Sequence, residues 1–248
     1  MNGNERRIYE IICSHNGIKA KDIGKKTGLP RNVINRYLYG FPYIKELCYQ
    51  DSEYKWHGMI SQNMPHKGLE NFSGYYGLVS DFLSITKDEW FERLKQGCKD
   101  IGRNLNDTRG LFHSFLDCYD TMIALFDDLK EYVEYDSWEI VFELRIKKSR
   151  CLRIYADVLV IAPSYVFSLE FKMKDAIEGD DVAQAAKYNE YLEVLFGSKY
   201  EIISGLVLTG ATDLYKYIPM ENSSAELPVC SGDMLFNIFI EYLPIVFP

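Results

Sequence analysis

Between Trp138 and Met173 the chain passes three times through the alternation of a β-strand, as WEIVFELRI, LRIYADVLVIA and YVFSLEFKM. β-Branched and aromatic residues fill each run, and turn residues separate them: a basic KKSRC stretch after the first and Ala-Pro-Ser-Tyr after the second. Helical spacing precedes them over about 106–133, where Phe112, Phe115, Leu116, Tyr119, Ile123, Phe126, Leu129 and Val133 recur as an inward stripe. After Lys174, DAIEGDDVAQAAKYNEYLEVLFG reads as a helix with a glycine stop, and EIISGLVLTG returns to strand. Helix, three strands, helix, strand require a layered, mixed α/β arrangement.

The last two strands carry charges that a core hairpin has no use for. A tight loop centred on Pro163 and Ser164 pairs residues whose numbers sum to 327, which sets Asp157 opposite Glu170 with Cβ atoms roughly 4.5–5.5 Å apart. Lys172, two residues on, shares their face. A slip of one residue would separate the acids. The flanking runs VLVIA and VFSLEF are apolar on both faces, as in a central strand, so a solvated cross-strand pair is the weaker reading. Two carboxylates held together raise each other's proton affinity unless a positive charge lies between them. A hard divalent cation, Mg²⁺ or Mn²⁺, meets that need while keeping water and phosphate oxygens in its shell. With an ammonium alongside, the set favours metal-assisted hydrolysis of a phosphodiester.

Asp157, then Glu170, Phe171 and Lys172 as Glu-Phe-Lys, resembles the PD-(D/E)xK nuclease superfamily, with Ala156 where that family often has proline. Gln184 and Tyr188, one helical turn apart, resemble the Gln-x-x-x-Tyr motif of its RecB-like branch. The resemblance covers about 106–210 and implies a restriction-endonuclease-like αβββαβ core. In it Asp157, Glu170 and the Phe171 carbonyl hold the metal, and Gln184 and Tyr188 support the site. It further implies an acid on the first core helix, for which Asp128 or Glu131 is the candidate. Family habit implies double-stranded DNA as substrate, homodimeric cutting, and a place in prokaryotic defence, restriction or repair.

The first sixty residues have another character. They hold ten Lys and Arg against six Asp and Glu, whereas the remaining 188 hold 18 against 30. A basic front on an acidic body still meets phosphate locally, because charges are screened beyond roughly 8 Å at physiological salt. NERRIYEIICS sets Ile8, Ile11 and Ile12 on one helical face; KAKDIGKKTG reads as a second helix closed by Gly28; Pro30 opens a third that ends near Gly40. IKELCYQDSEYKWHG then alternates as two strands about a turn at 50–53. This resembles a winged helix-turn-helix domain. The third helix is expected to pack Val33, Tyr37 and Leu38 inward and to project Arg31, Asn32, Asn35 and Arg36, side chains suited to base edges, while Lys25 and Lys26 meet phosphates. Winged helices also dock proteins, so the helix pattern alone does not decide the partner.

The expected division is therefore a winged helix over 1–60, a helical connector over 61–105 opened by Thr86 as a cap, and the nuclease-like domain over 106–248. The tail from about Ser231 reads as a helix with an apolar end. Six scattered cysteines make no C-x-x-C pair, which argues for reduced thiols and not zinc. No apolar run has membrane length and MNGNERRIYE is no signal peptide, so a cytoplasmic chain is expected. The absence of G-x-x-x-x-G-K-[ST] assigns any ATPase, helicase or specificity function to another chain. The rival expectation is a DNA-binding regulator or scaffold whose nuclease-like domain is silent.

Overall fold

The computed structural model describes residues 3–15, 17–51, 53–58, 68–105, 108–148, 153–220 and 225–244. The chain divides into two compact units, Met1–Phe72 with Ile146–Ile154, and Ser73–Arg145 with Tyr155–Pro248. Residues 73–105, expected as a connector, thus fall inside the larger unit. Residues 61–67, the start of the expected connector, lie outside the described residues, as do the turn residue Ser52 and most of the KKSRC turn.

The smaller unit contains α1 (Gly3–Cys13), β1 (Ile18–Lys19), α2 (Ala20–Thr27), α3 (Arg31–Gly40), α4 (Pro42–Leu47), β2 (Cys48–Gln50) and β3 (Lys55–Gly58). The strands form an antiparallel sheet ordered β1-β3-β2. Gly28 closes α2 with φ 75°, and its N–H reaches back to the Gly24 carbonyl, a left-handed cap that only glycine adopts cheaply. Two expectations need correction. The IKEL segment is helical, because Pro42 suits a first helical turn and a one-turn helix buries both Ile44 and Leu47, which a strand would turn to opposite faces. On α3 the buried pair is Ile34 and Leu38, spaced by four; Val33 and Tyr37 are only half-buried. Likewise Ile8 and Ile12 of α1 are buried, with Ile11 half-exposed.

The larger unit runs β4 (Tyr75–Leu78), α5 (Val79–Ser84), α6 (Lys87–Asp100), α7 (Thr108–Leu129), β5 (Glu139–Lys148), β6 (Arg153–Ile161), β7 (Tyr165–Lys172), α8 (Gly179–Lys187), α9 (Asn189–Phe196), β8 (Glu201–Leu208), β9 (Tyr215–Pro219), β10 (Glu226–Ser231) and α10 (Leu235–Tyr242). Among the described residues these seven strands make one mixed sheet ordered β4-β5-β6-β7-β8-β10-β9. β6 and β7 pair antiparallel; β7 with β8, and β8 with β10, pair parallel. Thr86 caps α6 by accepting the Glu89 N–H at 3.2 Å, as the capping box predicts. β4, β9 and β10 are strands that periodicity does not announce. The helical run after Lys174 is divided at Tyr188 into α8 and α9.

Two apolar layers cover the sheet. Trp90, Leu94, Phe115, Met122, Phe126 and Phe239 join Phe142, Val158, Val160, Leu169 and Phe171 on one side; Val182 and Ala185 of α8 join Leu206, Leu208 and Val229 on the other. Each fully buried large side chain contributes about 1.5–3 kcal/mol. The stripe of α7 is shifted from expectation. Cys118, Met122 and Leu125 are buried, whereas Phe112, Leu116, Ile123 and Val133 are half-buried, and the helix stops at Leu129. No described helix is long and apolar enough to cross a membrane.

Candidate active site

The β6–β7 hairpin pairs Val158 with Leu169 and Ile161 with Val166, so paired numbers sum to 327. One step further along that register lie Asp157 and Glu170. There the contact is between a side chain and the opposite backbone: Asp157 Oδ2 accepts the Phe171 N–H at 2.9 Å. Val158, Val160, Leu169 and Phe171 belong to the core under α7, so alternation turns Asp157, Glu170 and Lys172 to the side covered by α8.

From α8 a glutamine closes the group. Lys172 Nζ donates to Glu170 Oε1 at 2.8 Å and to Gln184 Oε1 at 3.2 Å. Gln184 Nε2 in turn donates to Glu170 Oε1 and, at 3.0 Å, to the Tyr188 hydroxyl. One turn of helix therefore ties a carboxylate, an ammonium and a phenol through a single amide. Lys174 fixes the approach of α8 by pairing with Glu178 at 2.7 Å and with buried Asp181 at 2.9 Å.

The electrostatics leave this group short of positive charge. Glu170 is 2% exposed, and its Oε2 is buried with no hydrogen-bond partner. Burial first, and then the Asp157 charge, push the Glu170 carboxyl up to about 8 against the pull of Lys172. Burial likewise raises Asp157, against the Phe171 N–H and the charges of Lys172 and Arg103. Burial works to lower Lys172, but the charge and hydrogen bond of Glu170 outweigh it and the net shift is upward, so the ammonium is kept. A buried, unpartnered carboxylate oxygen beside a second carboxylate fits a divalent cation, which takes one or two carboxylates plus carbonyl and water. Asp157 and Glu170 are the carboxylates that could hold it; the Phe171 carbonyl is a third oxygen only by the resemblance. Among the described residues no group of three or more His, Cys, Asp or Glu side chains is arranged as a metal cage, so such a cation would depend on these oxygens and on solvent or substrate for the rest of its shell.

Two further acids were not foreseen. Glu143, on β5, is 3% exposed, has φ 55°, and pairs with Arg103 at 2.7 Å. The Arg103 guanidinium also lies 4.4 Å from the centre of the Tyr155 ring. Burial and then the Asp157 charge lift Glu143 to about 8, which places it within electrostatic reach of the hairpin acids. A glutamate with positive φ is uncommon and costs on the order of 1–3 kcal/mol. Its backbone kinks where β4 begins: the Gly74 N–H is shared between the Phe142 and Glu143 carbonyls. The second acid is Asp117 on α7, half-buried and accepting from Thr209 Oγ1 at 3.2 Å, just past the end of β8. Asp128 and Glu131, the sequence candidates for a helix acid, are exposed instead, because α7 turns Leu125, Phe126 and Leu129 inward at that end. Burial raises the Cys118 thiol, and the charges of Asp157, Glu143, Asp117 and Glu170 raise it further.

In the smaller unit Arg31, Asn32 and Arg36 are exposed and Asn35 half-exposed; Lys25 and Lys26 are exposed on α2, Lys25 pairing with Asp22 at 3.2 Å. The five described cysteines are buried free thiols, and Cys151 lies outside the described residues.

Glu170 and Glu143 hold protons in the folded chain to about pH 8, against a usual value of 4.5. The folded state therefore gains stability below pH 4.5 relative to higher pH, and loses it as pH rises through 8. Without divalent cations the melting temperature is expected to fall between pH 5 and 8.5, and Glu170→Gln to flatten that fall by a few degrees. Parallel melting curves of the two proteins would count against a buried, protonated Glu170.

No family model matches the chain, and no match to a curated protein was found. Among solved structures it is similar to protein VC1899 from Vibrio cholerae at 12% identity and a TM-score of 0.29, over 96% of this chain and 50% of that one. The chain spans about half the length of that protein, and a likeness this slight carries no argument about fold or activity.

Proposed function

We propose that this chain is a metal-dependent nuclease of the PD-(D/E)xK type, acting on DNA, with a winged-helix unit for binding it. The observation that carries the reading is half-buried Asp157 beside buried Glu170, whose second carboxylate oxygen has no partner, with one ammonium beside them and Gln184 and Tyr188 behind. Holding two carboxylates together at a largely buried strand pair without compensating charge is costly.

In this reading Asp157 and Glu170 bind Mg²⁺ or Mn²⁺, which when present would neutralise the pair and polarise the phosphate and its attacking water. Lys172 holds its proton and stabilises negative charge growing on the phosphate. Gln184 keeps Lys172 and Glu170 in one arrangement, because its carbonyl and amide ends are both engaged. The Phe171 N–H holds the Asp157 carboxylate in register. Arg103 and Glu143 brace the neighbouring strand.

Incubation with plasmid, linear duplex, single-stranded DNA and RNA, with Mg²⁺, Mn²⁺ or EDTA, tests the reading. Metal-dependent cleavage of DNA is expected, and no cleavage under any of these conditions counts against it. The winged-helix part has its own test. Arg31→Ala/Arg36→Ala is expected to weaken duplex binding about tenfold or more without altering folding. Unchanged affinity would remove α3 from the interface.

A further inference from the structure

Among the described residues five large hydrophobic side chains are exposed, and three of them are tyrosines of the smaller unit: Tyr39 at 51%, Tyr49 at 36% and Tyr54 at 74%. Their placement is specific. Asn32, Asn35, Arg36 and Tyr39 recur at i, i+3, i+4 and i+7, and so form one stripe along α3 that passes from polar and basic to aromatic. At the aromatic end the Tyr39 hydroxyl donates to Gln50 Oε1 at 3.3 Å, and Gln50 Nε2 donates to the Tyr54 carbonyl at 3.4 Å. Gln50 thus joins the end of α3 to the turn between β2 and β3.

The described residues of that turn are tied to one another. Asp51 Oδ1 accepts the N–H groups of Glu53 and Lys55 at 2.9 and 2.8 Å, and Asp51 Oδ2 pairs with His57 at 2.9 Å. Glu53 pairs with Lys55. The acids of the turn are therefore engaged within it. Tyr54 sits at φ 60°, a strained position for a tyrosine, and holds its ring in solvent. Tyr39 meets the buried Trp56 ring edge-on at 5.3 Å, on the Gln50 face of the strand pair, whereas Tyr49, one residue from Gln50 on β2, faces the other way and stacks on His57 with centroids 5.0 Å apart.

We infer that the β2–β3 turn is a stacking platform for unpaired bases, and that the preferred ligand is duplex DNA with a single-stranded extension. The inference rests on the nucleic-acid part of the proposed function. Asn and Arg side chains on α3 suit the major groove of B-form DNA, which admits a helix where the A-form groove of RNA does not. Bases that have left the duplex offer flat faces, and an exposed tyrosine such as Tyr54, beside a helix stripe that carries Arg36, can hold such a face without reading sequence. A second protein surface would find this patch interrupted by Lys55, Arg36 and the charged turn.

Fluorescence anisotropy of the full chain in EDTA, at one salt concentration, compares a blunt duplex with the same duplex carrying a short single-stranded tail. The tailed duplex is expected to bind about tenfold more tightly, stacking being the source of the gain. Tyr54→Ala is expected to remove that preference and keep the affinity for the blunt duplex, and Tyr54→Trp to restore it. Equal binding of both duplexes by the wild type, or a preference that survives Tyr54→Ala, overturns the inference. A dimer seen by sedimentation that Tyr54→Ala dissociates also overturns it, in favour of a second copy on this surface. Cleavage is read separately with Mg²⁺: a chain that prefers tails and cuts nothing keeps the platform and loses the nuclease, and one that cuts without preference does the reverse.

Discussion

Asp157→Asn is expected to lower metal-dependent cleavage by about three orders of magnitude while leaving the protein at least as stable as the wild type. The two effects have opposite signs because the same charge is responsible for both. For catalysis, in the proposed reading, Asp157 is one of two carboxylates that would hold the cation, and that stabilisation amounts to several kcal/mol; each 1.4 kcal/mol lost is about tenfold in rate. For folding, the Asp157 charge is a buried burden that raises both Glu170 and Glu143. Asparagine keeps the shape and its Oδ1 can still accept the Phe171 N–H. Lys172→Ala should lose activity comparably. Cleavage that persists in both variants would move the active centre elsewhere, and a variant that fails to fold would show that Asp157 supports the hairpin through its hydrogen bond.

Gly97→Ala is expected to be the most damaging single-methyl change in the larger unit. A Cβ at Gly97 would stand 2.0 Å from the Gly74 carbonyl oxygen, and one at Gly74 would stand 2.7 Å from Cys98 Sγ. α6 thus lies directly on the backbone that starts β4, and backbone cannot rotate out of the way as a side chain can. Overpacking of this kind costs about 1–3 kcal/mol or more, which for a chain of this size lowers the melting temperature by several degrees. The displaced Gly74 is the residue whose N–H holds the Phe142 and Glu143 carbonyls. A second consequence follows: the Glu143–Arg103 pair should loosen, and activity should fall further than the melting temperature implies. Thermal unfolding and cleavage rates measured on one preparation separate the two losses. A melting temperature within a degree of wild type would contradict the close approach.

Those two sites mark the limit of what periodicity conveys. The hairpin register was legible because a tight loop fixes pairing and period-two alternation fixes the face, so Asp157, Glu170 and Lys172 follow from arithmetic. Gln184 and Tyr188 stood out through the Gln-x-x-x-Tyr resemblance, and the 3.6-residue helical repeat adds only that the two share a face. Glu143 was not: it lies in an alternating run, and its importance comes from a kink set by Gly74 and Gly97, each distant in sequence. Asp117 was hidden for a similar reason, since its partner Thr209 is on a strand end far along the chain. IKEL misled because a strand and a single helical turn share apolar residues at short spacing, and only tertiary burial of Ile44 with Leu47 decides between them. β9 and β10 were missed because short strands with prolines carry little alternation.

The hairpin itself has a consequence for how the site is assembled in the chain. Asp157 and Glu170 are joined by a loop of a few residues, so bringing their carboxylates together costs little conformational entropy. Gln184 arrives on a crossover helix between the parallel strands β7 and β8, the longer route. The charges are therefore a local property of some twenty residues, and the neutral groups that discipline them are a property of the whole sheet.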